Sequence, residues 1–155
     1  MSVPEILENL VGKWRGVNRL HTTWIRENPV RETTSIAVVE LTARGRFLKI
    51  EYDWTFDEAV QEGLLLIGDE KDSDTMRAFW IDSWHLSDKF MVSEGRFGND
   101  DAISLKGFYT VPDHPDWGWR TVIEPERDKS FKITMYNVSP EGEEALAVEM
   151  ELKRQ

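Results

Sequence analysis

The chain has no cysteine among its 155 residues, and this absence limits both its chemistry and the ways in which its fold can be stabilised. Disulfide bonds, thiolate zinc sites and thiol nucleophiles are all excluded. The hydrophobic core must therefore stabilise the fold without covalent help, and a chain of this length can bury such a core within one domain. We expect residues 1–155 to form a single domain.

Basic residues are scarce relative to acidic ones. The chain has 19 Lys and Arg against 29 Asp and Glu, which gives a formal net charge of −10 at pH 7. The basic residues are scattered singly among the acids, so no basic patch is evident. Such a chain repels phosphate backbones and anionic membrane surfaces. We therefore expect no nucleic-acid partner and no membrane partner.

Long apolar runs are also missing. No run approaches the ~20 residues that a membrane-spanning helix requires. The first residues, Met1–Glu5, lack the basic start and the apolar stretch of a signal peptide. Both observations favour a cytoplasmic protein.

Helical periodicity is confined to the first dozen residues. Residues 2–5 form a capping-box pattern, with Ser as the N-cap and Pro in the first turn. Apolar residues then recur at helical spacing before Gly12: they are Ile6, Leu7, Leu10 and Val11. A helix of about two turns is not stable alone. We expect it to dock on the rest of the fold as a plug.

From residue 12 onward the apolar residues alternate with the period of a β-strand. The clearest strand spans residues 46–56, in which one face carries Leu48, Ile50, Tyr52, Trp54 and Phe56. In residues 145–152, one face carries Leu146, Val148, Met150 and Leu152. Further strands are predicted near residues 13–24, 30–42, 60–67, 75–84, 89–97, 102–110, 118–124 and 130–138.

The predicted strands are short, and turns rich in Pro, Gly, Asn and Asp separate them. Strands that are apolar on one side and joined by hairpins indicate an antiparallel sheet with one buried face. Closing that sheet removes its edges. We therefore predict an all-β fold, a single antiparallel meander β-barrel of about ten strands plugged by the N-terminal helix, rather than a sandwich of two sheets.

Several short stretches resemble known families. Residues 12–16 read Gly-Lys-Trp-Arg-Gly and are similar to the Gly-x-Trp opening of the calycin group, which includes lipocalins, fatty-acid-binding proteins and nitrobindin-like barrels. Residues 79–84, 93–95, 119–124 and 133–136 resemble the bacterial domain family of unknown function DUF1579, in which a Trp-x-Asp strand and a Trp-Arg strand recur. This resemblance covers essentially the whole chain. It implies a calycin-like barrel and no established activity.

The resemblance does not imply a cofactor in this chain. Nitrobindin-like barrels take their axial haem ligand from a histidine late in the chain, whereas the histidines here are His21, His85 and His114. Their spacing also fits no transition-metal motif. We expect neither haem nor a metal ion.

An aromatic row on one predicted strand is the first candidate for a ligand-binding wall. Trp80, Asp82 and Trp84 share a face, because residues i, i+2 and i+4 of a strand point to the same side. Such a row suits a polar or cationic group of a ligand. Alternatively, the row faces solvent or a partner subunit, and Asp82 pairs locally.

Arg120 and Tyr136 are the other candidate wall residues. Arg120 lies in an apolar strand and could anchor a ligand carboxylate, as an Arg does inside fatty-acid-binding barrels. Those proteins use an Arg-x-Tyr pair, and the similar position here reads Thr-Met-Tyr at residues 134–136. The alternative is a salt bridge between Arg120 and either Asp82 or Glu124. The alternation leaves open which side of the late strands faces inward.

Three functional hypotheses follow. The first, which we favour, is a barrel that binds a small, partly apolar or carboxylate-bearing ligand. The second is an enzyme in which Asp82 or Glu51 acts as a buried general base; a triad of residues 82, 83 and 85 is excluded because adjacent strand residues face opposite sides. The third is a barrel filled by core tryptophans such as Trp14 and Trp54, acting as an interaction module or homodimer through residues 117–119.

Overall fold

Ten strands account for most of the residues that the computed structural model describes, residues 3–127 and 129–155. A single short helix, α1 (Glu5–Glu8), precedes them. The strands are β1 (Gly12–His21), β2 (Val30–Thr42), β3 (Phe47–Phe56), β4 (Ala59–Asp69), β5 (Met76–Asp82), β6 (Met91–Phe97), β7 (Ile103–Tyr109), β8 (Trp117–Glu126), β9 (Ser130–Val138) and β10 (Glu144–Arg154).

The strands close into a barrel. Each strand pairs antiparallel with its neighbours in the sequence, and β10 pairs with β1 to complete the cylinder. At that closure Gly16 lies opposite Leu152, and a Cβ added to Gly16 would lie 1.8 Å from the backbone oxygen of Glu151. Only glycine allows the first and last strands to approach so closely. The predicted meander barrel is confirmed.

The predicted strand positions agree closely with the structure, with two differences. The strand predicted over residues 75–84 ends at Asp82, so Trp84 lies in the following turn rather than on β5. On β10, Leu146 lies opposite Tyr136 but Val148 lies opposite Met135, which marks a β-bulge between them. A bulge moves residues on its two sides to different faces. The predicted common face of Leu146 and Val148 is therefore wrong.

The N-terminal segment plugs the barrel end at which β1 begins. Val3, Leu7 and Leu10 are at most 1% exposed. The buried Trp14 donates from Nε1 to the Leu10 carbonyl oxygen at 2.8 Å, and its ring meets that of Phe131 edge-on at 4.7 Å. The plug therefore shares one apolar cluster with the barrel interior, as predicted.

The plug helix is shorter than the sequence pattern predicts. Helix α1 is one turn of 4 residues, and Pro4 stands at its N-cap without a side-chain cap. The predicted Ser2 cap lies outside the described residues. Val11 is 40% exposed, so the apolar stripe of the plug ends before it.

Arg154, the last residue of β10, holds the plug from the other end of the chain. Its Nη1 donates to the Val11 carbonyl at 2.9 Å, and its Nη2 donates to the Asn9 carbonyl at 2.6 Å. Its guanidinium also lies over the Trp14 ring, 4.3 Å from the ring centre. These carbonyls follow α1 and have no helical partner of their own. The end of the last strand thus binds the segment that follows the first helix.

The predicted inner face of β3 is also confirmed. Leu48, Ile50, Tyr52 and Trp54 are all at most 5% exposed. Because β3 runs away from the plug, Tyr52 and Trp54 lie nearer to the barrel end opposite α1.

In the described part of the chain, no helix has both the length and the apolar character needed to cross a bilayer.

Candidate functional site

A buried carboxylate organises the barrel end opposite α1. Asp82 closes β5 and is 2% exposed. Its Oδ2 accepts hydrogen bonds from the Tyr52 hydroxyl at 2.7 Å and from Trp54 Nε1 at 3.2 Å. Its Oδ1 accepts from the backbone N–H groups of Trp84 and His85, both at 2.9 Å. These donors replace the water that a carboxylate loses on burial.

The Tyr52 hydroxyl extends this network. It accepts a hydrogen bond from Trp80 Nε1 at 2.9 Å while it donates to Asp82. Burial raises the pKa of Tyr52 well above its usual value, and the charge of Asp82 adds to this effect, so the hydroxyl keeps its proton. A Cβ on Gly63 would lie 2.2 Å from the Tyr52 ring, so a glycine there leaves space for the ring to reach Asp82.

Asp82 also positions the turn that follows β5. Its backbone carbonyl accepts from the Leu86 N–H at 3.0 Å, so residues 83–88 coil back over the barrel mouth. This turn places the His85 ring within a group of indoles. Its distances from the ring centres are 5.5 Å for Trp54, 5.7 Å for Trp80, 4.8 Å for Trp84 and 5.4 Å for Trp119.

His85 is uncharged at neutral pH. Burial among the indoles penalises the imidazolium and lowers the pKa of His85 to about 4, although the nearby charge of Asp82 acts in the opposite direction. A neutral imidazole offers one N–H donor and one acceptor nitrogen. Within residues 3–127 and 129–155, neither ring nitrogen of His85 has a hydrogen-bond partner.

A pocket of about 630 Å³ opens beside His85, and we call it the rim pocket. Its aromatic lining consists of Trp80, His85, Phe90, Phe108, Tyr109 and Trp119. The pocket lies where β6 and β7 stop pairing: their register ends at Glu94 and Lys106, although the strands continue to Met91 and Tyr109. The barrel wall therefore loosens at this part of the mouth.

Trp119 contributes an unused polar group to this region. Its ring stacks on that of Trp80 at 5.4 Å with an interplanar angle of 18°. Its Nε1 is buried and has no hydrogen-bond partner. The neighbouring Tyr109 hydroxyl, by contrast, donates to Asn137 Oδ1 at 2.5 Å. An unsatisfied buried donor beside a pocket is typical of a place where a ligand or a water molecule binds.

The structure brings some of the predicted wall residues together. Trp80 and Asp82 both face inward and belong to the same network as Tyr52. Trp84 joins them from the turn, where its ring packs on Trp54 at 5.6 Å and on Phe56 at 5.0 Å. Of these, only Trp80 also lines the rim pocket.

Arg120 and Tyr136 lie elsewhere, on the outer surface of the barrel. They are opposite each other on β8 and β9, and the Arg120 guanidinium lies 4.4 Å from the Tyr136 ring centre. Arg120 Nε pairs with Glu144 at 2.6 Å, and this hydrogen bond raises the pKa of Arg120. The salt-bridge alternative is therefore present, but its predicted partners, Asp82 and Glu124, are wrong.

Glu51 is not a buried base. It is exposed on the outer side of β3, with an Oε1 3.4 Å from Lys49 Nζ. The prediction that Glu51 lies in a dry cavity is therefore wrong. Successive residues of β3 point to opposite sides, so Glu51 points outward where its neighbour Tyr52 points into the core. Asp82 is buried as predicted, but hydrogen bonds from the chain's own donors occupy both of its oxygens.

Sequence reasoning undervalued His85 and Trp119. On β8 the inner side carries Thr121 and Ile123, both buried, so the same alternation turns Trp119 inward and Arg120 outward. The alternation was visible in the sequence, but it did not show which of the two sides faces inward. The position of His85 could not be predicted either, because it depends on the turn after β5. The homodimer through residues 117–119 stays a prediction.

Comparisons with known proteins agree with the fold. The S-type phycobiliprotein lyase CPES from Guillardia theta has a similar structure, with a TM-score of 0.62 and 16% sequence identity. The alignment covers 100% of this chain and 93% of that one. No curated protein matches the sequence. The family model described as protein of unknown function (DUF1579) matches residues 2–154, and the chain therefore belongs to this family.

Proposed function

We propose that this barrel binds a small, planar, partly apolar molecule in the rim pocket. The observation that carries the proposal is the aromatic lining of the pocket together with polar groups that the chain itself leaves unused, at His85 and Trp119. Ligand sites are concave and mostly apolar, with a few polar groups that orient the ligand. The volume of about 630 Å³ lies within the range of such sites.

The position of the pocket supports this proposal. Barrels commonly bind ligands at their mouths, and the plug around Leu7 and Trp14 closes the other end. Next to the plug, buried core side chains such as Trp14 and Phe131 pack against each other, whereas the mouth carries the rim pocket. The similar solved barrel is named a phycobiliprotein lyase. At this low identity the likeness supports the fold as a scaffold and does not identify a ligand.

The alternative of an enzyme with Asp82 as general base has weaker support. A general base must accept a proton from the substrate and therefore needs a free oxygen within reach. Both Asp82 oxygens already accept hydrogen bonds from Tyr52, Trp54 and the turn backbone. We infer that Asp82 anchors the turn that bears His85.

Titration with N-phenyl-1-naphthylamine, a neutral aromatic probe whose fluorescence rises in apolar sites, tests the proposal. We expect saturable binding to the parent protein. Trp119→Ala should weaken that binding by about tenfold, because it removes a buried aromatic contact of the ligand.

Trp24→Ala is the matched control. Trp24 is 70% exposed and does not line the rim pocket, so its removal should leave the affinity unchanged. Thermal melts of both variants check that the barrel stays folded. A Trp119→Ala variant that binds the probe as tightly as the parent, or a parent that shows no saturation, contradicts the proposal.

A further inference from the structure

The unused polar groups of the rim pocket include two N–H donors. The indole of Trp119 can only donate, and its Nε1 is buried without a partner. The neutral imidazole of His85 supplies the second N–H from whichever nitrogen carries the proton. A pair of donors recognises a hydrogen-bond acceptor rather than another donor.

The two rings that carry these donors are in contact. The ring centres of His85 and Trp119 are 5.4 Å apart, and both rings line the same pocket. Because both rings line the pocket, a ligand bound there lies against both of them. The aromatic side chains around them, Trp80 and Phe108 among them, provide surface for a flat ring system.

The negative charge of the neighbouring Asp82 determines whether the acceptor oxygen of the ligand is charged or neutral. The Asp82 carboxylate lies 2.9 Å from the backbone nitrogen of His85 and has no cationic side chain paired with it in the described residues. A buried negative charge disfavours a second one nearby, since the interior screens charge poorly. Asp88 and Lys89 also line the pocket, but both are exposed and opposite in sign. A neutral acceptor therefore fits better than a carboxylate.

On the basis of the proposed function, we infer that the ligand is an aromatic compound with a neutral carbonyl oxygen, and that Trp119 and His85 hold this oxygen. The two residues are then the determinants of specificity in the rim pocket, while the other aromatic side chains supply contact area. This goes beyond general apolar binding, because it selects among ligands of the same shape by a single polar atom.

The test compares three naphthalenes of similar shape by isothermal titration calorimetry at neutral pH: 2-acetonaphthone (a ketone), 2-naphthoate (a carboxylate) and 2-isopropylnaphthalene (a hydrocarbon). We expect the ketone to bind about fivefold to tenfold more tightly than the hydrocarbon, which is the effect of one or two hydrogen bonds. The carboxylate should bind no more tightly than the hydrocarbon.

Two variants assign the preference to its residues. Trp119→Phe removes the N–H and keeps a ring, and His85→Phe removes both ring nitrogens. Each should reduce the preference for the ketone to about twofold to threefold over the hydrocarbon, because each removes one of the two donors. Trp24→Phe, at an exposed position outside the pocket lining, should retain the full preference.

The outcomes separate the two proposals. Equal binding of ketone and hydrocarbon to the parent, tightest binding of 2-naphthoate, or an unchanged preference in Trp119→Phe overturns the inference, while the rim pocket still stands as a ligand site. If none of the three compounds binds, the proposed function itself fails, and the inference fails with it.

Discussion

At the scale of single residues, the main feature is a carboxylate that the chain satisfies without a cation. Asp82 accepts hydrogen bonds from Tyr52, Trp54 and the backbone of the turn after β5. By accepting the backbone N–H groups of Trp84 and His85, it also holds that turn in place and thereby positions His85. The Trp-x-Asp spacing predicted that Trp80 and Asp82 share a face. The contribution of Tyr52, 30 positions away in the sequence, requires the pairing of β3 with β4 and of β4 with β5.

The lowered pKa of His85 makes stability depend on pH. Its folded pKa is about 4, below the model value of 6.5, so the unfolded chain binds this proton at a higher pH than the folded one. The free energy of unfolding should therefore decrease as the pH falls from about 6.5 to about 4, by an amount on the order of 3 kcal/mol at most. Below about pH 4 this group should contribute no further change. Urea unfolding at a series of pH values measures the effect.

Two variants identify the group responsible. In His85→Gln the decrease between pH 6.5 and pH 4 should become shallower, even if the variant is less stable at every pH. His114→Gln, in an exposed loop, should show the same decrease as the parent. Equal slopes for His85→Gln and the parent would show that other groups cause the acid sensitivity.

At the scale of elements, the barrel depends on how β1 and β10 approach each other. The alternation of apolar residues predicted both strands, and the removal of free sheet edges predicted that they pair. Neither indicates the register of that pairing, because the two strands lie at opposite ends of the chain. At one point of this pairing the backbones come very close: Gly16 lies opposite Leu152, and a Cβ on Gly16 would lie 1.8 Å from the Glu151 carbonyl oxygen. A local pattern cannot predict such a contact.

Replacing Gly16 should therefore damage the barrel more than replacing a glycine whose added Cβ would first meet side chains. In Gly16→Ala the new Cβ would lie 1.8 Å from a backbone oxygen, so β1 and β10 must separate. We expect a loss of about 3 kcal/mol or more in the free energy of unfolding. Denaturant unfolding followed by circular dichroism measures this loss.

Gly118→Ala is the matched substitution. A Cβ there would lie 2.9 Å from the flexible end of Lys106 and 3.2 Å from Val138 Cβ, so side chains rather than backbone must move. We expect a loss of about 1 kcal/mol or less. If the two variants lose equal stability, the close approach of β1 and β10 is not the cause.

At the scale of the whole molecule, the two ends of the barrel differ. One end is closed by α1 and Trp14, which Arg154 holds in place from the end of β10. The other end carries the turn of residues 83–88 and the rim pocket, where β6 and β7 stop pairing. This separates the part that stabilises the fold from the part that we propose binds a ligand.

Arg154→Ala should lower the melting temperature. It removes hydrogen bonds to the Val11 and Asn9 carbonyls and a contact with the Trp14 ring. A loss of about 2 kcal/mol lowers the melting temperature by about 4–8 °C in a chain of this size. Differential scanning calorimetry measures the shift.

Lys153→Ala tests whether the effect belongs to Arg154 or to any charge near the end of β10. Lys153 is exposed and forms no ion pair in the described part of the chain, so its removal should change the melting temperature by less than about 2 °C. Binding of the naphthalene probe should be unchanged in both variants, because the plug and the rim pocket lie at opposite ends. A plug variant that loses binding would contradict this separation.

The sequence by itself determined the strands, their inner faces on β3 and β5, the plug and the closure of the sheet, because alternation and turn residues act over a few neighbouring positions. The family resemblance agreed with this fold, and the match of the family model to residues 2–154 confirmed the resemblance. Only the tertiary structure decided the geometry of the candidate site. It turned Arg120 and Tyr136 outward to Glu144, ended β5 before Trp84, and brought His85 against Trp119. These outcomes depend on the register between strands and on how the turn after β5 packs against them, and both bring together residues that are distant in the sequence.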